Sequence, residues 1–164
     1  MLLAVPGLCF FFFMACATVP PLATTTEYEK TVDTGKPAAQ SFDLTGQWIG
    51  HFFNAPKPLL KNSDRASGHF EGPVWIVLDK SALVEHTIRY NLDIGVKDGS
   101  TQFRFQALYL IKTTYEMRDT LPFRDEPIAT PVKLPIDQVS FDAFTQEMDK
   151  LVQHYQDFMS SQQS

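Results

Sequence analysis

The feature that most constrains this fold is the dipeptide Asp98-Gly99, set between two long stretches rich in alternating apolar residues over 85–112. Asp-Gly readily supplies the two positive φ values of a type I′ two-residue loop, so the stretch reads as one long β-hairpin. Such a loop places Lys97 opposite Ser100, and every outward pair follows in step. One face then collects Val96 with Thr101, Ile94 with Phe103, Leu92 with Phe105, Tyr90 with Ala107, Ile88 with Tyr109 and His86 with Ile111. The other collects Gly95 with Gln102, Asp93 with Arg104, Asn91 with Gln106, Arg89 with Leu108, Thr87 with Leu110 and Glu85 with Lys112. The first face is almost wholly apolar, and two opposite-charge pairs fall directly across from each other on the second, as cross-strand stabilisation favours.

A chain of 164 residues suits one domain with a terminal appendage, and 44% hydrophobic residues with 14 Phe argue for a packed globule over a disordered chain. The net charge of -5, with no dense basic run, weighs against a nucleic-acid surface, whose affinity comes largely from neutralised phosphates. Both cysteines, Cys9 and Cys16, precede residue 17, so the folded part carries no disulfide or cysteine metal site.

Residues 7–15 form a short apolar run that ends at small residues, too short to span a bilayer and suited to an export signal. Phe13-Met14-Ala15-Cys16 resembles the lipobox of bacterial lipoprotein signals, so that cleavage leaves Cys16 as a lipidated N-terminus. It departs from that pattern at Phe13 and Met14, and no Lys or Arg precedes the apolar run. Two other outcomes stay open: cleavage at Ala15-Cys16-Ala17 to give a soluble exported form, and an uncleaved or misread start. For a lipoprotein, Ala17 resembles an outer-membrane sorting signal, with the protein facing the periplasm. Residues 17–26 read as a tether, 27–159 as one domain and 160–164 as a frayed tail.

Within the domain, residues 27–34 alternate as a first strand ended by Gly35. Pro37 suits the first turn of a helix whose stripe is Ala39, Phe42, Thr45, Ile49 and Phe52 or Phe53, with Trp48 on its flank. Gly46 and Gly50, four apart in that helix, suggest a close approach by another element. After a charged loop over 58–67, residues 69–78 read as a strand with a bulge or edge position at Gly72-Pro73. The hairpin follows, then a long connection over 113–139 with four prolines. A second helix starts near Ser140 as N-cap, with Asp142 in its first turn and a stripe of Phe141, Phe144, Met148, Leu151, Tyr155 and Phe158. The order β-α-β-β-β-α predicts an α+β two-layer sandwich, a four-stranded antiparallel sheet with both helices on one face.

Several residues carry a family resemblance: Ala39-x-x-Phe42-Asp43, Trp48-Ile49-x-x-Phe52-Phe53, Gly68-His69-Phe70-Glu71-Gly72, and 90–99 leading into Phe103-Arg104-Phe105. In these the chain resembles a family of unknown function with a TATA-box-binding-protein-like (TBP-like) fold, found in exported proteins and lipoproteins of Gram-negative bacteria. The resemblance implies the same element order and an envelope location, with no DNA binding and no catalytic residue.

The chemistry-bearing residues form no local motif. None of His51, His69, His86 and His154 pairs with another at ligand spacing, and His69-x-Glu71 merely shares a strand face. No nucleophile elbow or phosphate loop is present, and nothing implies a cofactor or metal. Trp48 and Trp75 read as core residues. The remaining candidate is the open sheet face, where Arg89, Asn91, Arg104 and Gln106 surround Leu108 as an apolar anchor for a protein or small ligand. The expected function is a non-catalytic, lipid-anchored binding or scaffolding domain of the cell envelope, and the alternative is a small hydrolase or metal-binding enzyme assembled from distant His and carboxylate groups.

Overall fold

The computed structural model describes residues 21–53, 62–116 and 128–162. Within them the elements run β1 (Tyr28–Asp33), α1 (Ala38–Phe52), β2 (His69–Lys80), β3 (Val84–Lys97), β4 (Ser100–Glu116), β5 (Ile128–Leu134) and α2 (Gln138–Ser161). All strands join one antiparallel sheet in which β3 lies between β2 and β4. The outer edge of β4 is shared, pairing with β1 through its first six residues and with β5 from Leu110 to Glu116. The sheet therefore has five strands, one more than the pattern suggested. The extra strand came from the segment read as a connection, where Pro131 and Pro135 masked the alternation of Ile128–Leu134 and β5 occupies an edge that tolerates proline.

Both helices pack on one face, over a core that contains Leu92, Ile94, Phe103 and Phe105 from the hairpin. Helix α1 buries Ser41, Thr45, Trp48 and Ile49, so it is rotated from the expected stripe: Trp48 sits at the centre and Phe52 is 38% exposed. The Trp48 indole meets Phe103 and Tyr155 edge-on at centroid distances of 6.0 and 5.1 Å. Of the two glycines, Gly46 lies against the Phe70 ring, and Gly50 has open space beside it. Helix α2 begins at Gln138, earlier than expected, because Asp137 is the N-cap and accepts from Ser140 N at 2.8 Å. Its buried stripe includes Phe141, Phe144, Met148, Leu151 and Tyr155, and Tyr28 of β1 latches its outer side by donating to Asp149 at 2.6 Å.

The hairpin keeps Lys97 opposite Ser100, but its loop is not type I′. Of the two loop residues only Gly99 has a positive φ, 77°, the pattern of a type II turn. Its surroundings explain this. Asp98 Oδ1 accepts from Ala38 N at 2.8 Å and so caps α1, whose own N-cap residue, Pro37, has no side-chain oxygen to offer. Gly99 O accepts from Thr34 N and Gly35 N, docking the loop on the β1–α1 junction.

The larger departure is a bulge. Pairing is regular from Lys97–Ser100 to Asn91–Gln106, then shifts so that Arg89 faces Tyr109, Thr87 faces Ile111 and Glu85 faces Thr113. Ala107 takes a φ of 52° at this point. One extra residue on β4 exchanges the faces beyond it, so Leu108 and Leu110 are buried in the core while Tyr109 and Ile111 move to the other side. The expected pair of Glu85 with Lys112 does not form, and His86 faces Lys112 instead. On β2 the pairing runs unbroken through Gly72 and Pro73, and its irregularity lies between Val77 and Asp79.

Candidate binding face

The sheet face opposite the helices divides into two regions. Near the hairpin loop, His69 of β2, Asp93 of β3 and Arg104 of β4 form a compact charged cluster. Asp93 is nearly buried, with one oxygen 2.8 Å from His69 Nδ1 and the other receiving Arg104. Next along the strands, Asn91 donates to Glu71 at 2.8 Å, so His69 and Glu71 share a face without sharing a partner. Both carboxylates are thus spent on neighbours within the sheet, the arrangement by which cross-strand pairs fix register.

The second region is a groove of about 210 Å³ toward the other end of the strands. Its floor comes from β3, where Glu85, Thr87 and Arg89 alternate outward, and from Ile111 and Thr113 of β4. Trp75 of β2 and Pro131 of β5 close the two sides. Trp75 is 57% exposed, a correction to its assignment as a core residue, and Val77 beside it is 46% exposed. Phe70, Val74 and Ile76 face the core, so strand alternation sends Trp75 and Val77 outward.

Charge within the groove is unevenly satisfied. Glu85 is held by Lys80 Nζ at 2.9 Å and by the hydroxyls of Thr87 and Tyr115, and the Lys80 hydrogen bond leads in keeping its carboxyl below the usual range. Arg89 is exposed and, among the described residues, makes no ion pair or hydrogen bond. Its cross-strand neighbours are Trp75 and Tyr109. Lys133 of β5 sits across from Ile111 and carries its ammonium 3.9 Å from the Tyr109 ring centroid, a close cation–π contact.

Of the five residues expected to form the binding face, only Arg89 lines this groove. Asn91 and Arg104 are tied to Glu71 and Asp93, and Gln106 lies half-buried opposite Asn91. Leu108 is removed from the face, since the bulge turns it into the core at 5% exposure. Trp75, Thr87, Ile111, Thr113 and Pro131 were missed. The apolar run from Val74 to Val77 was the available signal, because four consecutive apolar residues on a strand must put two of them on each face.

The chain has structural similarity to a DUF4468 family protein from Bacteroides ovatus, with 18% sequence identity and a TM-score of 0.39. The match covers 67% of this chain and 64% of that one, so the chain spans less than two thirds of that protein's length. By its designation that family is a domain of unknown function. No family model and no curated protein matches the chain.

The histidines take separate roles. His86 Nδ1 lies 2.8 Å from Asp79, and His154 Nδ1 accepts from the Trp48 indole at 2.9 Å. Among the described residues no three His, Cys, Asp or Glu side chains come together as a metal site. His69 and Asp93 share the geometry of an acid–base pair, but Gly95, which faces His69, is six residues along β3 from Arg89, about 20 Å at strand spacing. The pair and the groove do not converge.

Proposed function

We propose that this chain is a non-catalytic binding domain of the bacterial cell envelope, tethered through lipid on Cys16, that engages its partner with the open sheet face. The observation that carries the binding part is the exposed Arg89, unpaired among the described residues, in a groove flanked by exposed Trp75. Arg and Trp are the side chains most often dominant at interfaces, and both helices are committed to the opposite face. The tether rests on sequence: an apolar run ending in Ala15-Cys16, followed by a Thr- and Pro-rich segment. Cys16 and the export signal lie outside the described residues. Among those described, no helix is long and apolar enough to cross a membrane.

The two parts are tested separately. Cys16→Ser should abolish incorporation of a fatty-acid analogue, and labelling that persists refutes the lipid anchor. For the face, a photo-crosslinking residue placed at Val77 should trap a discrete product in intact cells, and one at the exposed Gln153 of α2 should not. The Val77 product should be lost on Arg89→Glu. Absence of a product at Val77, or its survival of the charge reversal, removes the open face as the binding surface.

A further inference from the structure

We infer that the groove on the open face receives acidic side chains of an extended protein segment. This rests on the reading of that face as a binding surface and adds the chemistry of the occupant. The argument begins with sign. The chain carries a net charge of -5, yet among the described residues the groove's one lining carboxylate, Glu85, is compensated by Lys80. Arg89 and the bordering Lys133 have no carboxylate partner among the described residues. The groove is therefore a local reversal of charge. A guanidinium between the cross-strand neighbours Trp75 and Tyr109 is suited to bidentate carboxylate recognition, because its flat fork matches the carboxylate and is weakly hydrated.

Shape selects a segment over a small molecule. The volume, about 210 Å³, is below the roughly 300–1,000 Å³ of small-ligand sites and is of side-chain size. The groove crosses from Trp75 on β2 to Pro131 on β5, four strands at about 4.8 Å spacing, or roughly 14 Å in all. About four residues of extended chain cover that distance, and side chains at i and i+2 then share the inner face about 7 Å apart. One carboxylate meets Arg89 and the next lies toward Lys133. A neutral saccharide could stack on Trp75, but it would leave both cations without a counter-charge.

The test uses intrinsic fluorescence of the full chain, whose two tryptophans differ in exposure: Trp48 is fully buried and Trp75 is 57% exposed. Acrylamide quenching therefore reports occupancy at Trp75. The probes are a ten-residue peptide of alternating Glu and Thr, its Gln-for-Glu and Lys-for-Glu counterparts, and chitohexaose. The Glu peptide should protect Trp75, with affinity falling roughly tenfold on Arg89→Gln and also weakening from 50 to 500 mM salt. Among the described residues Arg89 has no ion pair to lose, and circular dichroism checks that the variant is folded. Equal binding of the Gln and Glu peptides overturns the acidic assignment while leaving the face a binding surface. Protection by chitohexaose with none from the Glu peptide overturns it in favour of a saccharide, and protection by no probe overturns it outright. Failure of the Val77 cross-link is the distinct result that removes the surface itself.

Discussion

Tyr155 shows at the residue scale how the core accommodates polar groups. It is fully buried, and its hydroxyl lies 2.9 Å from both Thr45 Oγ1 of α1 and Thr101 Oγ1 of β4. Thr45 also donates to the backbone Ser41 O at 2.7 Å, and Ser41 Oγ lies 3.3 Å from Thr34 Oγ1, so a run of hydrogen bonds links the β1–α1 junction, both helices and β4. Such a run stabilises only when each member is satisfied, since a buried unpaired hydroxyl loses its hydration without return. Tyr155→Phe removes the central link and keeps the ring, and should destabilise the fold by about 1–3 kcal/mol. Urea titration measures this, and an unchanged midpoint refutes the link. None of this was legible beforehand: the helical period placed Tyr155 and Thr45 on buried stripes, but a period says nothing about which hydroxyls meet.

At the scale of the element, the bulge in β4 decides which residues the open face presents. Ala107 adopts a left-handed φ of 52°, which costs an L-residue about 1–2 kcal/mol. Ala107→Gly should therefore leave stability unchanged or raise it by up to about 1 kcal/mol, while Ala107→Val should lower it. Leu108→Ala should cost about 2–5 kcal/mol, well above Ile111→Ala across the sheet. The reverse order in thermal melts would restore unbulged pairing. Asp98-Gly99 made the hairpin's first half legible, because a two-residue loop leaves a single register. The second half was not: Ala107 carries no glycine-like signal, and Tyr90–Ala107 with Ile88–Tyr109 is as apolar as the true arrangement. Losing the bulge in the reading placed Leu108 on the binding face and hid Ile111. The loop itself was misread because Asp98 answers to α1, a demand sixty residues away in the chain.

Across the whole molecule, buried phenols set the behaviour at high pH. Burial pushes the Tyr90 hydroxyl well above its ordinary value, and burial likewise raises Tyr155, against its hydrogen bonds with Thr101 and Thr45. In the unfolded chain a tyrosine titrates near about 10. A group whose folded value is raised contributes stability that is fully present below the unfolded value and is lost as pH rises through the folded one. Between the two values the unfolded state has released a proton that the folded state retains, so stability falls by about 1.4 kcal/mol per pH unit for each such tyrosine. Tyr28 is raised too, by partial burial and then by its bond to Asp149, and Lys30 by its own contact with Asp149, but both reach the surface, where solvent screens the effect. From pH 8 upward the expected profile is flat to about pH 9 and declines steeply above about pH 10. Tyr90→Phe separates the contribution of one phenol: its ring still packs against Phe105 and Phe144, and the variant has nothing to ionise. Denaturant titrations from pH 8 to 11 should show the variant losing stability more slowly by about 1.4 kcal/mol per unit above pH 10. Parallel declines for the two proteins would mean that Tyr90 ionises equally in both states and is not sealed beneath α2.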